Sequence, residues 1–195
     1  MDKLQKQPGI PVCVLLFSVL LLLGVWIGSL FVQLSDEPVA QDQTAVFLNG
    51  MFRDVSAGYL RVFSAFLFDF LFYLLLVFLF GMTFLGIGVI PAVVFFRGFT
   101  LGASLSALLV TEGMGAYFQG WMTYLPAAAF CTLVFLLFSE RAFGVSLRSA
   151  GLLFKKVSGA VSVKNCGVQF LFALLLLLFA AAVRCGCVFL AAIFI

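Results

Sequence analysis

Long apolar blocks separated by short polar segments dominate the pattern of the chain. The first block, Ile10 to Leu34, has almost no alternation of apolar and polar residues. A helix crosses about 30 Å of hydrocarbon in roughly 20 residues, whereas the strands of a membrane barrel alternate over shorter segments. The pattern therefore predicts an all-α, polytopic integral membrane protein.

We predict about five transmembrane helices in a single membrane domain, 1–195. The apolar block from Val62 to Val110 is too long for one span, and glycines and Pro91 near its middle favour a turn. A broken or re-entrant helix near 81–97 remains an alternative there. The predicted spans are 10–34, 62–80, 83–110, 120–138 and 167–195, with a short loop, Thr111 to Gln119, after the third.

The first span begins after Lys3 and Lys6, as a signal peptide would. Its apolar core is longer than that of a signal peptide, and no clean small-x-small cleavage site follows it. We expect this span to be retained as an anchor.

The distribution of basic residues predicts the orientation in the membrane. The N-terminus carries Lys3 and Lys6, and the loop 139–165 carries five lysines and arginines against the single acid Glu140. Because basic loops stay cytoplasmic, we expect a cytoplasmic N-terminus and an extracytoplasmic C-terminus. The polar segment 35–60 is then extracytoplasmic, with a short interfacial helix over Phe47 to Tyr59.

Composition supports this class and argues against catalysis. The chain is 65% hydrophobic and 10% charged, with a mean hydropathy of +1.26 and a net charge of +3, which does not imply nucleic acid. It has no histidine, no clustered carboxylates and no Gly-x-Ser-x-Gly motif. The five cysteines lie in or beside apolar segments, where packing thiols are expected. We predict no enzyme, catalytic residue, metal site or cofactor.

Three charged residues fall inside predicted spans, where an ionised group usually faces the bundle interior or a partner. Arg184 lies near the end of its span and is interpreted as a snorkelling anchor. Asp69 and Arg97 lie on consecutive spans and are candidates for an ion pair, although their depths from the outer ends differ by about 9 Å. The alternative is that Arg97 marks a helix break at the inner interface.

Small residues follow Arg97 at every fourth position: Gly98, Gly102 and Ser106. In lipid, such a face lets two helices approach closely, because packing rather than hydrophobicity drives their association. The spacing predicts packing within the chain, with a homo-oligomer or hetero-oligomer face as the alternative.

Two stretches, "GIGVIPAVVFFRGFTLGASLSALL" and "GWMTYLPAAAFCTLVFLL", resemble the stage II sporulation protein M family. In that family a basic residue, a glycine and a second glycine four positions on open the central helix, and a Leu-Pro pair begins the next. The matching positions are Arg97, Gly98, Gly102, Leu125 and Pro126. The family commonly follows that proline with Gln-Asn, but Ala127 and Ala128 stand here, so the chain resembles a divergent member.

The resemblance implies a non-enzymatic scaffold in the cell membrane of an endospore-forming bacterium. Its partners would be membrane lipid and other membrane proteins, namely the peptidoglycan-degrading stage II sporulation proteins D and P, which the family localises during engulfment. The segment 35–60 offers candidate partner contacts, which are Asp36, Glu37, Asp42, Arg53 and Asp54. A homo-oligomer is a further expectation.

A small transporter or permease subunit is the rival hypothesis. Broken helices and charges near the midplane are typical of substrate pathways, and Asp69 with Arg97 beside the glycine-rich turn fits that description. A chain of 195 residues without an internal repeat would need to oligomerise to form such a pathway.

Overall fold

The computed structural model describes residues 10–35, 59–153 and 163–194, which are helical apart from the helix ends and one short turn. The helices are α1 (Ile10–Leu34), α2 (Tyr59–Gly81), α3 (Gly86–Leu153) and α4 (Val163–Phe194). Within these residues, five segments are long and apolar enough to cross a membrane. The predicted all-α, polytopic class is therefore confirmed.

Helix α3 contains two of these five spans and is folded back on itself. A straight helix of 68 residues would be about 100 Å long. Yet Gly86, at its start, lies against Ser146: a Cβ built on Gly86 would be 2.8 Å from Ser146 Oγ. The first limb of α3, Gly86–Val110, and the second limb, Tyr124–Gly151, are thus antiparallel neighbours.

The chain reverses direction about midway in sequence between Gly86 and Ser146, because these two residues are in contact. Helical backbone extends over Thr111–Gln119, which the sequence predicted as a loop. That prediction was wrong, because Glu112, Gly113 and Gly115 interrupt the apolar run without ending the helical backbone.

The spans alternate in direction through the bundle. Two ring pairs fix the register of the second limb against α4: a tilted pair, Phe138 with Phe170, at 6.0 Å between centroids, and an edge-on pair, Phe130 with Phe179, at 6.2 Å. As one residue number rises the other falls, so the two segments are antiparallel. Helix α4 also packs on α2, where Phe78 and Phe170 are 4.4 Å apart.

A four-residue turn joins α2 to α3. Thr83 Oγ1 donates a hydrogen bond to the Phe80 carbonyl at 2.9 Å, and the Thr83 carbonyl accepts one from the Gly86 amide at 3.3 Å. Pro91 lies inside α3 without ending it. The first limb is therefore a full-length span that begins at Gly86, and the re-entrant alternative for 81–97 is not adopted.

The second limb continues beyond its predicted end at residue 138. Helix α3 extends to Leu153, so the first part of the segment 139–165, predicted as a loop, is helical. Ala142 packs on Gly81, where a built Cβ would meet the Ala142 Cβ at 2.8 Å, and Ser146 Oγ donates to the Thr83 carbonyl at 2.7 Å. These contacts hold the extension on the α2–α3 turn although its other face is charged.

Helix α1 and the first limb of α3 run parallel with their backbones in contact. A Cβ on Gly102 would lie 2.7 Å from the Val25 carbonyl carbon, and one on Gly98 would lie 3.0 Å from that of Leu21. Reciprocally, Cβ atoms on Gly24 and Gly28 would overlap the backbone around Phe99. Ser106 Oγ extends the seam by donating to the Ser29 carbonyl at 3.3 Å.

Two buried apolar clusters fill the rest of the interior. One lies around Val77, Val94 and Phe135 toward the α2–α3 turn, and the other lies around Phe66, Cys131 and Leu177 toward the opposite end of the bundle. Arg97 and Arg184 border the second cluster, where they lie over the rings of Phe70 and Phe66.

The seam between α1 and α3 predicts a sharp difference between two glycines. We expect Gly102→Ala to lower the free energy of unfolding by about 1–3 kcal/mol, because its Cβ meets backbone that cannot yield. Gly88→Ala on the same limb is the control, since a Cβ there meets nothing within 4 Å. It should be neutral or stabilising by up to about 1 kcal/mol. Equilibrium unfolding in detergent measures both, and equal effects would contradict the backbone contact.

Candidate functional site

Arg97 and Asp69 form a two-pronged ion pair between the first limb of α3 and α2. Arg97 Nη1 donates to Asp69 Oδ1 at 3.0 Å, and Arg97 Nη2 donates to Asp69 Oδ2 at 2.7 Å. This parallel arrangement is the strongest geometry available to the two groups. Arg97 is 3% exposed, whereas the Asp69 side chain is 43% exposed. The pair thus lies at the edge of the bundle, with its cation inside.

The turn between α2 and α3 explains why the pair meets. Asp69 lies about 18 Å before Gly81 and Arg97 about 17 Å after Gly86, at 1.5 Å per residue. The two side chains are therefore level when depth is measured from the turn that joins their helices. The mismatch of about 9 Å came from measuring at the outer ends, where the helix limits were uncertain.

Two aromatic rings of α2 cover the Arg97 guanidinium. Its central carbon is 4.1 Å from the ring centroid of Phe70 and 4.8 Å from that of Tyr73. Both rings belong to the helical turn that begins at Asp69, so one turn of α2 supplies the anion and both aromatic faces. Ring faces attract a desolvated cation with about 2 kcal/mol or more. Arg97 is held by charge and by π electrons together.

Arg184 of α4 is a second buried arginine in the same region. It is 3% exposed, and its guanidinium carbon is 4.9 Å from the Phe66 ring centroid and 5.3 Å from that of Tyr124. The expectation that Arg184 snorkels as an anchor was wrong, because its side chain packs on rings inside the bundle. The position of Arg184 near the end of its span did not indicate which face of α4 the residue occupies.

Phe66 connects the surroundings of the two arginines. Its ring centroid is 5.0 Å from that of Phe70 and 5.8 Å from that of Tyr124. We call the group formed by Asp69, Arg97, Arg184, Phe66, Phe70, Tyr73 and Tyr124 the arginine cluster. It joins α2, both limbs of α3 and α4 at one level.

The arginine cluster has a chemistry suited to holding helices together or to binding an anion. Among the described residues no group of three or more His, Cys, Asp or Glu side chains could hold a metal ion, and all five cysteines are free thiols. Arg97 Nε is buried without a hydrogen-bond partner among them. The two terminal nitrogens of Arg97 nevertheless donate hydrogen bonds to the Asp69 carboxylate.

The other residues singled out from the sequence have different positions. Gly98, Gly102 and Ser106, on the first limb of α3, pack against α1, so the small face has a partner within the chain. Pro126 is an exposed residue near the start of the second limb. The candidate partner contacts Asp36, Glu37, Asp42, Arg53 and Asp54 lie outside the described residues.

Sequence reasoning missed Gly24 and Gly28 on α1 and the aromatic members of the arginine cluster. The "GVWIG" stretch of α1 has the same four-residue spacing as Gly98 and Gly102 and was available as a signal. The aromatic residues offered no such signal, because phenylalanine occurs 26 times in the chain and most apolar stretches contain it.

No protein-family model, no curated protein and no solved structure matches this chain.

The ion pair predicts strong coupling between Asp69 and Arg97. We expect Arg97→Gln or Asp69→Asn to lower the free energy of unfolding by about 3 kcal/mol, since each leaves its partner charged in hydrocarbon. The double variant Asp69→Asn with Arg97→Gln should lose less than the sum of the two single losses, because neither charge is then left without its partner. Unfolding of the four proteins in detergent forms a double-mutant cycle. Additive losses would contradict the coupling.

Proposed function

We propose that this protein is a non-enzymatic membrane scaffold of endospore formation, which localises peptidoglycan-degrading partners during engulfment. The observation that carries the proposal is the set of contacts made by Arg97. The resemblance to the stage II sporulation protein M family depends chiefly on this residue. Its charge is satisfied inside the bundle by Asp69 and two rings. The adjacent Gly98 packs against the backbone of α1 at Leu21. These contacts support a role of the family-like motif in assembly of the bundle.

A scaffold needs a stable membrane body and surfaces that partners can reach. The bundle supplies the body through the arginine cluster and the α1–α3 seam. The acidic residues Asp36, Glu37 and Asp42 would face stage II sporulation proteins D and P from the extracytoplasmic side. This placement follows from a cytoplasmic N-terminus in the bacterial cell membrane, which the basic residues of 139–165 support.

A transporter or permease subunit is the second candidate, and one observation favours it. Two buried arginines and the partly exposed Asp69 lie at one level of the bundle. Charges inside a membrane protein often mark a substrate or ion pathway. In this interpretation, Asp69 would release Arg97 during transport and bind a substrate cation or a proton in its place.

Capture of partners from sporulating cells tests the scaffold. The full-length tagged chain, cross-linked and purified, should recover a peptidoglycan hydrolase. Reversing the three acids together, by Asp36→Lys, Glu37→Lys and Asp42→Lys, should reduce capture at least about fivefold, because each like charge opposes a complementary surface. Arg148→Gln, outside that segment, is the control and should leave capture unchanged at equal membrane abundance.

Two results would count against the scaffold. One is recovery of an ATPase and no hydrolase from the same cells. The other is loss of solute uptake in Asp69→Asn at unchanged abundance and unchanged hydrolase capture, which would favour the transporter. A scaffold predicts instead that Asp69→Asn lowers capture only in proportion to the folded protein that remains.

A further inference from the structure

A groove between the second limb of α3 and α4 faces away from the bundle interior. Its volume is about 290 Å³, and its walls are almost entirely apolar. Leu137, Val168 and Phe172 line it and are exposed, so the groove opens to the surrounding lipid. Arg141 and Gln169 supply polar side chains at one end.

The polar end of the groove lies level with the turn between α2 and α3, because Arg141 is next to Ala142, which packs on Gly81 at the end of α2. Gln169 lies six residues, or about 9 Å, from the start of α4 at Val163. The contact between Phe138 and Phe170 brings Arg141 to the same level, one helical turn from Phe138. From there the groove continues along Phe172 to Leu176, which is about 10 Å deeper in the hydrocarbon.

The charge at this end is positive and open to a ligand. No acidic side chain lines the groove, and Arg141 has no hydrogen bond or ion pair within the part of the chain that the structure describes. A basic residue near a membrane surface attracts anionic lipid.

We propose that the groove binds one anionic phospholipid. Arg141 and Gln169 contact its phosphate, and an acyl chain lies along Leu137, Phe172 and Leu176. The order of the groove, with a cation and an amide at the interface and an apolar channel below them, is the order of groups in a phospholipid. A partner helix would need an apolar face along the whole groove and would leave Arg141 without an anion.

Lipid binding to the purified full-length protein tests the site. Native mass spectrometry of the protein in detergent is titrated with phosphatidylglycerol and with phosphatidylcholine of identical acyl chains. We expect the wild-type protein to bind phosphatidylglycerol at least about fivefold more tightly, since one arginine near the surface contributes about that much. Arg141→Gln should reduce this preference to near unity.

Two further variants separate the groove from general surface charge. Arg148→Gln removes the same charge from the same helix outside the groove and should keep the preference. Leu137→Trp fills the groove at an exposed position and should weaken binding of both lipids at least about fivefold, as occupied volume excludes an acyl chain. It leaves every charge in place, so it tests the site even if Arg141→Gln fails to fold.

Three outcomes would overturn the proposal. Equal affinity of the wild-type protein for the two lipids would remove the anionic preference. An equal loss in Arg148→Gln and Arg141→Gln would assign the preference to diffuse surface charge. A shift of Leu137→Trp from dimer to monomer without any change in bound lipid would identify the occupant as a second copy of the chain.

Discussion

The charge of Arg97 is the constraint on which the arrangement of this bundle depends. A guanidinium in hydrocarbon must meet an anion, and Asp69 supplies one with both oxygens. Because Gly98 is the next residue, and successive helical residues point about 100° apart, the two residues face different neighbours. Arg97 fixes α2 on one side of the first limb, and Gly98 with Gly102 fixes α1 on another. One dipeptide thereby sets the position of three helices.

The two contacts differ in their physical nature. The α1–α3 seam depends on the absence of side chains, so dispersion between backbones supplies its stability and any added atom weakens it. The ion pair depends on charge and tolerates little change in distance. Rings strengthen it further, since Phe70 and Tyr73 replace the water that a guanidinium would otherwise bind. Close packing and charge pairing thus act together on the same limb.

The sequence predicted the number of spans well and their lateral arrangement poorly. Apolar runs of about 20 residues report on crossing the bilayer, which is a property of each segment alone. Which face of α4 bears Arg184 depends on neighbours distant in sequence, so its burial could not be predicted. The extension of α3 past residue 138 could not be predicted for the same reason, since it depends on contacts with residues distant in sequence. Ala142 and Ser146 look neutral in sequence but pack on Gly81 and Thr83.

The ion pair shows where a better sequence argument was available. Depths measured from a short turn carry less error than depths measured from frayed outer ends, because both helices share the turn. By that measure Asp69 and Arg97 are level, and the pair follows from the sequence together with the position of the turn.

The positions of the charges divide the molecule into an inner and an outer part. Those at the middle of the spans are engaged with rings or a carboxylate inside the arginine cluster, where they hold helices together. Arg141 lies on the outer surface of the bundle, level with the turn between α2 and α3. In a protein organised in this way, the interior charges are engaged between helices, while charges that can meet other molecules lie at its borders. Those borders are where a scaffold must act, because partners and lipids reach the bundle only there.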